Sequence, residues 1–183
     1  MTSNLASAVT WTALACGAAA AAPAASKSTR PSASAAADSL PAWMTVDSAA
    51  RTVHLELETA PAAGGHAVIN GRRDGGVQIV VPVNWTVRWR WHSTDSTATH
   101  SLVVMAEREK LPERGGRPAL SNAMTRMVTA GLRAGQTDET TFLADQPGWY
   151  WLLCGVPAHA LGGEWIGLRV DPDAHTAGVR QKP

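Results

Sequence analysis

Cysteine is scarce in this sequence, with only two among 183 residues, and the two lie far apart at Cys16 and Cys154. Two cysteines in an exported protein would ordinarily indicate a disulfide. Cys16, however, lies in an N-terminal leader that we expect to be removed or lipidated. Cys154 is therefore predicted to be a lone thiol, which is a liability in an oxidising compartment unless a metal ion or another group occupies it.

An excess of charge of one sign is also lacking, since 16 basic residues face 15 acidic residues and the formal net charge is +1. Nothing in this balance attracts nucleic acid, so no nucleic-acid partner is expected. The length allows one domain with a tail, and a hydrophobic content of 45% supports a core. We place this domain at residues 43–173, with a C-terminal tail at 174–183.

Charged residues are absent from residues 1–25, where an apolar, Ala-rich run is followed by small residues. This pattern is typical of a signal peptide without its basic start, or of a membrane or lipoprotein anchor. The run is too short and too Ala-rich to indicate a membrane span. Leu14-Ala15-Cys16-Gly17 is similar to a lipoprotein cleavage box with Cys16 as the lipidated residue, and plain secretion and an uncleaved anchor are the alternatives.

Large apolar residues are missing from the next segment, residues 26–42, apart from its last few positions. Its Ala, Ser and Pro cannot bury enough surface to order the chain, so we predict a disordered linker. An exported leader and a linker together place the domain outside the cytoplasm, in the periplasm or on the outer face of the cell membrane. The N-terminal anchor is then the only membrane contact that we expect.

Phe and Tyr occur once each, whereas Trp occurs eight times. In the segment from Trp85 to His92, Trp85, Val87, Trp89 and Trp91 alternate with polar residues, which predicts a strand with a tryptophan face in the core. Similar short stretches recur between turn signals, and no helical period persists across them. We predict an all-β sandwich or barrel of about eight strands, at 52–57, 66–70, 77–81, 85–91, 100–105, 137–143, 149–154 and 165–170.

Near the C-terminus, four residues separate Cys154 from His159 and four more separate His159 from Glu164. A thiolate and an imidazole on one tight loop with Gly and Pro can reach one metal ion, and this pair suits Cu or Zn. His100 stands at the head of an apolar run and offers a third ligand. Two His and one Cys are the trigonal set of an electron-transfer copper site.

This loop resembles the ligand loop of cupredoxins of the rusticyanin, stellacyanin and sulfocyanin type, and is most similar to that of sulfocyanin. The resemblance covers about residues 43 to 171 and continues through Asn70-Gly71, residues 77–87, His100-Ser101-Leu102-Val103-Val104, Pro118-Ala119-Leu120 and Thr129-Ala130-Gly131-Leu132. It implies a Greek-key β-sandwich that holds one copper ion and carries single electrons rather than catalysing a reaction. Residues 107–131 are rich in charge, Gly and Met, so we predict a long connection there with one helical turn near 122–127. In that family the matching region covers the sheet near the metal, so this connection is expected to shield the copper from water.

The chain departs from the family at one ligand, because the weak axial position that is Met in the family is Glu164 here. We expect Glu164 to be an axial oxygen ligand or an acid beside the ligands, the alternative being a side chain that points to solvent. An ionised carboxylate would favour copper(II) and lower the reduction potential. The potential should climb as the pH falls and Glu164 takes up a proton.

Other candidate ligands are interpreted as ordinary residues. His54, His66, His92 and His175 lack a partner at a useful spacing, and Met105, Met124 and Met127 are expected to pack. Redox proteins of a respiratory chain are the expected partners, docking on an apolar rim around His159 formed by Val156, Pro157, Ala158, Ala160 and Leu161. Two other functions stay open: a copper site with carboxylate ligation that binds or transforms a small molecule, and a copper-binding accessory module.

Overall fold

The computed structural model describes residues 40–181, which form ten β-strands and no helix. The predicted leader and nearly all of the linker lie outside the described residues. No helix in the described part of the chain is long and apolar enough to cross a membrane. The strands are β1 Met44–Asp47, β2 Thr52–Pro61, β3 Ala67–Ile69, β4 Val77–Pro82, β5 Thr86–Ser93, β6 Val103–Ala106, β7 Thr137–Leu143, β8 Gly148–Leu153, β9 Trp165–Asp171 and β10 Gly178–Gln181.

The strands form two five-stranded sheets that each contain one parallel pair. In the first sheet the order is β1-β2-β5-β7, with β3 paired to β2, and in the second it is β10-β4-β9-β8-β6. Strands β2 and β5 run parallel, as do β4 and β9, while the other pairs are antiparallel. The predicted all-β sandwich is confirmed, and all eight predicted strands are present as β2 to β9.

Alternation along β5 builds the tryptophan face of the main core. Trp85, Val87, Trp89 and Trp91 are all buried, as their spacing predicted. The Trp89 ring meets Phe142 of β7 edge to face, with centroids 5.3 Å apart, a favoured geometry for aromatic pairs. Residues of both sheets meet in this core, among them Leu55, Leu57, Ile79, Leu152, Ile166 and Leu168.

Strand β8 is apolar on both faces, because each face packs into a different hydrophobic core. Tyr150 and Leu152 point into the main core, and the Tyr150 hydroxyl donates to the backbone O of Gln146 at 2.7 Å, as expected for a strand corner. Trp151 and Leu153 point the other way, into a second, smaller core. Cys154 follows directly after this strand and is therefore placed by packing on both sides.

The long connection from residue 107 to 131 covers the outer face of the second sheet, as expected. Its residues Leu111 and Val128 pack on the second core. The prediction of a helical turn near 122–127 is wrong. This segment contains non-helical turns and one isolated β-bridge between Met124 and Val103. Met105 packs as expected, whereas Met124 and Met127 are exposed, at 40% and 59%.

Two elements of the sandwich differ from the sequence prediction at its edges. Residues 174–183 were expected to be a tail, but β10 adds to the edge of β4 with four residue pairs, from Gly178↔Val80 to Gln181↔Val77. Strand β1 was not predicted and pairs with β2. Both are edge strands of four residues. Such short strands form because they hydrogen-bond to the free backbone groups of a neighbouring strand, and their own residue pattern contributes little.

Candidate metal centre

Four predicted ligands converge at one end of the second sheet. His100 precedes β6, Cys154 follows β8, and Glu164 immediately precedes β9, so the three strand ends bring them together. One ligand atom from each of these residues and from His159 lies within 4.8 Å of all the others. Three of the four residues are buried, and His159 is partly exposed.

The loop from Cys154 to Glu164 is closed by its own backbone. The N–H of Cys154 donates to the carbonyl of Glu164 at 3.0 Å, and the N–H of Glu164 donates to the carbonyl of His159 at 3.1 Å. Ala158 has a left-handed backbone with φ of 67°, an uncommon conformation for a residue with a Cβ. Its N–H donates to the carbonyl of Glu113 in the long connection at 2.7 Å, which fixes this strained turn.

Cys154 is a buried thiol that faces His159. Its Sγ lies 3.5 Å from Nδ1 of His159 and accepts from the backbone N–H of Ser101 at 3.4 Å. Burial, with the negative charge of Glu164 beside it, raises the pKa of the Cys154 thiol far above its ordinary value. Without a metal the sulfur therefore keeps its proton at neutral pH, and a metal ion must displace that proton to bind the thiolate.

Ser101 ties this sulfur to two further segments. Its hydroxyl donates to the carbonyl of Val128 at 2.6 Å and accepts from the N–H of Gly155 at 3.0 Å. The long connection and the ligand loop are thus joined through one buried side chain next to Cys154.

Glu164 points into the site and not to solvent. Its two carboxylate oxygens lie 2.9 and 3.0 Å from Nδ1 of His100, and one lies 3.1 Å from Nδ1 of His159. Burial raises the pKa of Glu164, but hydrogen bonds and charge from the two histidines outweigh it and hold the pKa below its ordinary value. The carboxylate is therefore ionised at neutral pH.

Asp95 is a site residue that the sequence did not reveal, because it lies in the connection between the predicted strands at 85–91 and 100–105. Its Oδ2 lies 3.1 Å from Nε2 of His100, the ring nitrogen that faces away from Glu164. Its Oδ1 accepts from the backbone N–H and the hydroxyl of Thr97, at 2.8 and 2.6 Å. The one available signal was an acidic residue and a threonine two positions on, a pattern typical of an Asx turn.

Carboxylates on both sides of His100 govern its protonation. Burial lowers the pKa of His100, but Glu164 and Asp95 outweigh it and hold the pKa above its ordinary value. The hydrogen bonds from Thr97, followed by the bond and charge of His100, lower the pKa of Asp95. Asp95 also orients the ring so that Nδ1 faces the other three ligand atoms, as buried carboxylates do for metal-binding histidines.

A cavity of about 230 Å³ opens beside these residues. Asp95, His100, His159 and Glu164 contribute to its wall, together with His66. His66 and the other three histidines that were interpreted as ordinary residues are not members of the four-residue group within residues 40–181. His92, for example, pairs with Glu58 on the first sheet at 3.1 Å.

The donor set fits a copper ion. Two imidazoles and a thiol match the ligands of electron-transfer copper sites, and a carboxylate oxygen is a further donor. A buried thiol, two histidines and a buried acid, whose ligand atoms lie within 4.8 Å of one another, would be an unusual way to fill a protein core. Copper and zinc share this donor set, so the chemistry of the donors alone leaves both metals open.

Comparisons with known proteins place this chain in a family. A family model described as Sulfocyanin (SoxE) domain matches residues 40–177. Among solved structures, the chain is similar to auracyanin from Roseiflexus castenholzii, at 23% identity over 64% of this chain and 97% of that one, with a TM-score of 0.44. It is also similar to rusticyanin from Thiobacillus ferrooxidans, at 19% identity over 70% and 88% of the two chains, with a TM-score of 0.44. No curated protein matches the chain significantly.

Proposed function

Because the chain belongs to the sulfocyanin family of cupredoxins, whose cofactor is one copper ion, we propose that it is an exported carrier of single electrons. In this proposal His100, Cys154 and His159 would hold the copper, and Glu164 would supply a further oxygen donor or lie directly beside the metal. The observation that supports it is the convergence of the four ligand atoms within 4.8 Å at the buried end of a rigid sandwich.

Copper supplies the one-electron chemistry by alternating between its two oxidation states. The task of the protein is to keep the ligands still and water away. Cys154 is held by the strand before it and by the N–H of Ser101, and His100 by two backbone hydrogen bonds with Leu132, at 3.0 and 2.7 Å. Ligands fixed in this way need little rearrangement when an electron arrives or leaves.

His159 is the proposed exit for the electron. Its side chain is 26% exposed, and the neighbouring Leu161 is 57% exposed, which gives a small apolar rim suited to brief docking. The rim is smaller than expected, because Ala160 is buried in the second core. Redox proteins of a respiratory chain are the proposed partners at this surface.

Export rests on the sequence of the leader, which lies outside the described residues. We place the domain on the outer side of the cell membrane, tethered through the linker, with Cys16 as the candidate lipidation site. A lone thiol that is shielded by a metal suits such an oxidising compartment.

Visible and electron paramagnetic resonance spectroscopy of the copper-loaded protein tests the carrier proposal. We expect a strong thiolate-to-copper absorption band, a narrow copper hyperfine splitting and reversible one-electron cycling. Cys154→Ser should lose the band, while Ser121→Ala, at an exposed position, should keep it. Failure of the wild-type protein to bind copper, or copper that does not cycle reversibly, contradicts the proposal; the second result favours an accessory module that only binds the metal.

The cavity favours one alternative, a copper site that binds or transforms a small molecule. Its volume of about 230 Å³ accommodates a molecule larger than water next to Glu164 and His100. The two carboxylates in its wall disfavour anions. Titration with a neutral ligand such as imidazole, beside azide or nitrite, therefore separates the functions: a change in the copper spectrum supports a reactive site, and a spectrum unchanged by all of these ligands supports the carrier.

A further inference from the structure

The turn from Arg73 to Gly75, before β4, holds the last part of the ligand loop. Nη2 of Arg73 donates to the carbonyl of Gly162 at 2.8 Å. The backbone N–H of Asp74 donates to the carbonyl of Gly163 at 2.9 Å. Two consecutive residues of the loop are thus bound to two consecutive residues of the turn, across about ninety positions of sequence.

A third contact, at Gly75, brings the turn and the end of the ligand loop into direct van der Waals contact. Its N–H donates to the carbonyl of Trp165 at 3.1 Å, and a Cβ built on Gly75 would collide with the Trp165 indole. Gly163 has φ of +96°, and a Cβ built on it would lie 2.6 Å from Oδ1 of Asp74. Each segment therefore presents a glycine where the other approaches most closely, which only a residue without a side chain permits.

Glu164 lies between these three contacts and makes none of them. Its own backbone faces inward, with its N–H on the carbonyl of His159 and its carbonyl on the N–H of Cys154. The residue is therefore held by the metal loop on one side, and through its neighbours by the turn on the other.

We propose that the Arg73–Gly75 turn is a positioning clamp that keeps the Glu164 carboxylate on the two histidine nitrogens. This inference rests on the proposed function in so far as Glu164 lies beside the copper. Arg73 also pairs with Asp74 at 2.8 Å, but the two side chains are 37% and 62% exposed. An ion pair so open to water contributes little to stability, so its role in the clamp is to aim the guanidinium at Gly162.

Arg73→Met tests the clamp, with Arg72→Met as a matched control that makes the same change at the exposed neighbour. In the metal-free protein, the amides of Asp74, Gly75 and Glu164 should exchange with deuterium about tenfold faster in Arg73→Met than in the control. Arg73→Lys keeps a hydrogen-bond donor, so its amide exchange rates should lie between those of Arg73→Met and Arg72→Met. In the copper-loaded protein the reduction potential should be higher in Arg73→Met than in Arg72→Met, which loses the same charge, because the carboxylate is held less closely.

The role of Glu164 is separated by repeating the measurement in a Glu164→Gln background. If the clamp acts through the carboxylate, Arg73→Met produces no further rise in potential there; an equal rise in both backgrounds overturns the positioning role. Exchange rates equal to those of Arg72→Met overturn the clamp itself. If the wild-type chain binds no copper, the proposed function fails, while the exchange rates of the metal-free variants still decide whether the clamp exists.

Discussion

Glu164 gives this site its distinctive charge, because an ionised carboxylate lies where the resemblance to other cupredoxins predicts a thioether. It is buried against two histidines, and within residues 40–181 its carboxylate hydrogen-bonds to these histidines and not to a lysine or arginine. Negative charge in a poorly solvated pocket stabilises the more positive oxidation state of a bound metal. At the scale of one residue, the choice of Glu over Met should therefore set the reduction potential.

Glu164→Met should raise the reduction potential by about 60 mV or more, which for one electron corresponds to a tenfold change in the equilibrium. The thioether removes the negative charge that favours the oxidised state. Protein-film or solution voltammetry measures the change. Glu139→Met removes a carboxylate from an exposed position on the first sheet and should leave the potential as it is. A Glu164→Met potential equal to that of wild type would exclude Glu164 from the site.

Ser101→Ala should reduce the free energy of unfolding of the metal-free protein by about 1–3 kcal/mol. The change leaves the N–H of Gly155 and the carbonyl of Val128 without their shared partner in a buried place. Denaturant unfolding measures the loss, and Ser121→Ala, which is exposed, should stay within about 0.5 kcal/mol of wild type. Equal stability of the two variants would contradict the proposed link between the long connection and the ligand loop.

At the scale of elements, the long connection and the ligand loop approach through two glycines. Gly115 donates its N–H to the carbonyl of Gly155 at 2.8 Å, so the two backbones touch without intervening side chains. A Cβ built on Gly115 would lie 2.6 Å from Cα of Gly155 and 2.5 Å from Cγ1 of Val128. The connection therefore presses on the residue that follows Cys154, and it excludes water from the sulfur side of the site.

Gly115→Ala should destabilise the protein by about 1–3 kcal/mol, because the added methyl group meets backbone that cannot move aside freely. The same substitution one position on, Gly116→Ala, meets nothing nearer than 3.8 Å and should change stability by less than about 0.5 kcal/mol. Thermal or denaturant unfolding of the metal-free variants distinguishes them. In the copper-loaded forms, only Gly115→Ala should alter the visible spectrum. Two variants of equal stability would show that the contact is loose.

At the scale of the whole molecule, the stability of the metal-free protein is coupled to pH through the charges gathered in the site. Glu164 and Asp95 have lowered pKa values, so their contribution is complete above their ordinary values of 4.5 and 3.8 and is lost as the pH falls through the lowered values. His100 has a raised pKa, so its contribution is complete below its ordinary value of 6.5 and is lost as the pH rises through the raised value.

The metal-free protein should therefore be most stable between about pH 4.5 and 6.5, with stability falling on both sides. The free energy of unfolding, measured in urea at a series of pH values, gives this profile. Glu164→Gln should flatten both sides, because it removes one of the titrating carboxylates and one partner of His100. A profile that is unchanged by this substitution would mean that the buried charges do not interact as their distances indicate.

Local patterns in the sequence were enough to predict the strands and to name the four side chains that converge at the candidate site. Strict alternation along β5 fixes which residues face the core, because side chains of a strand point to alternate sides. The spacing from Cys154 through His159 to Glu164 is a property of one short loop, so local geometry alone brings those side chains near one another. His100 was predicted as the third ligand because it stands at the head of an apolar run.

The directions of the side chains at the ends of these strands follow from contacts between distant segments, which no local pattern predicts. Asp95 meets His100, and Arg73 meets Gly162, only because separate loops converge at one end of the sandwich. Nothing local distinguishes an inward Glu164 from one in solvent, since its direction depends on two histidines and on the turn before β4. Strand β10 likewise forms because β4 offers an unpaired edge. Such contacts join residues distant in sequence, and their energies depend on the assembled fold rather than on any segment of the chain.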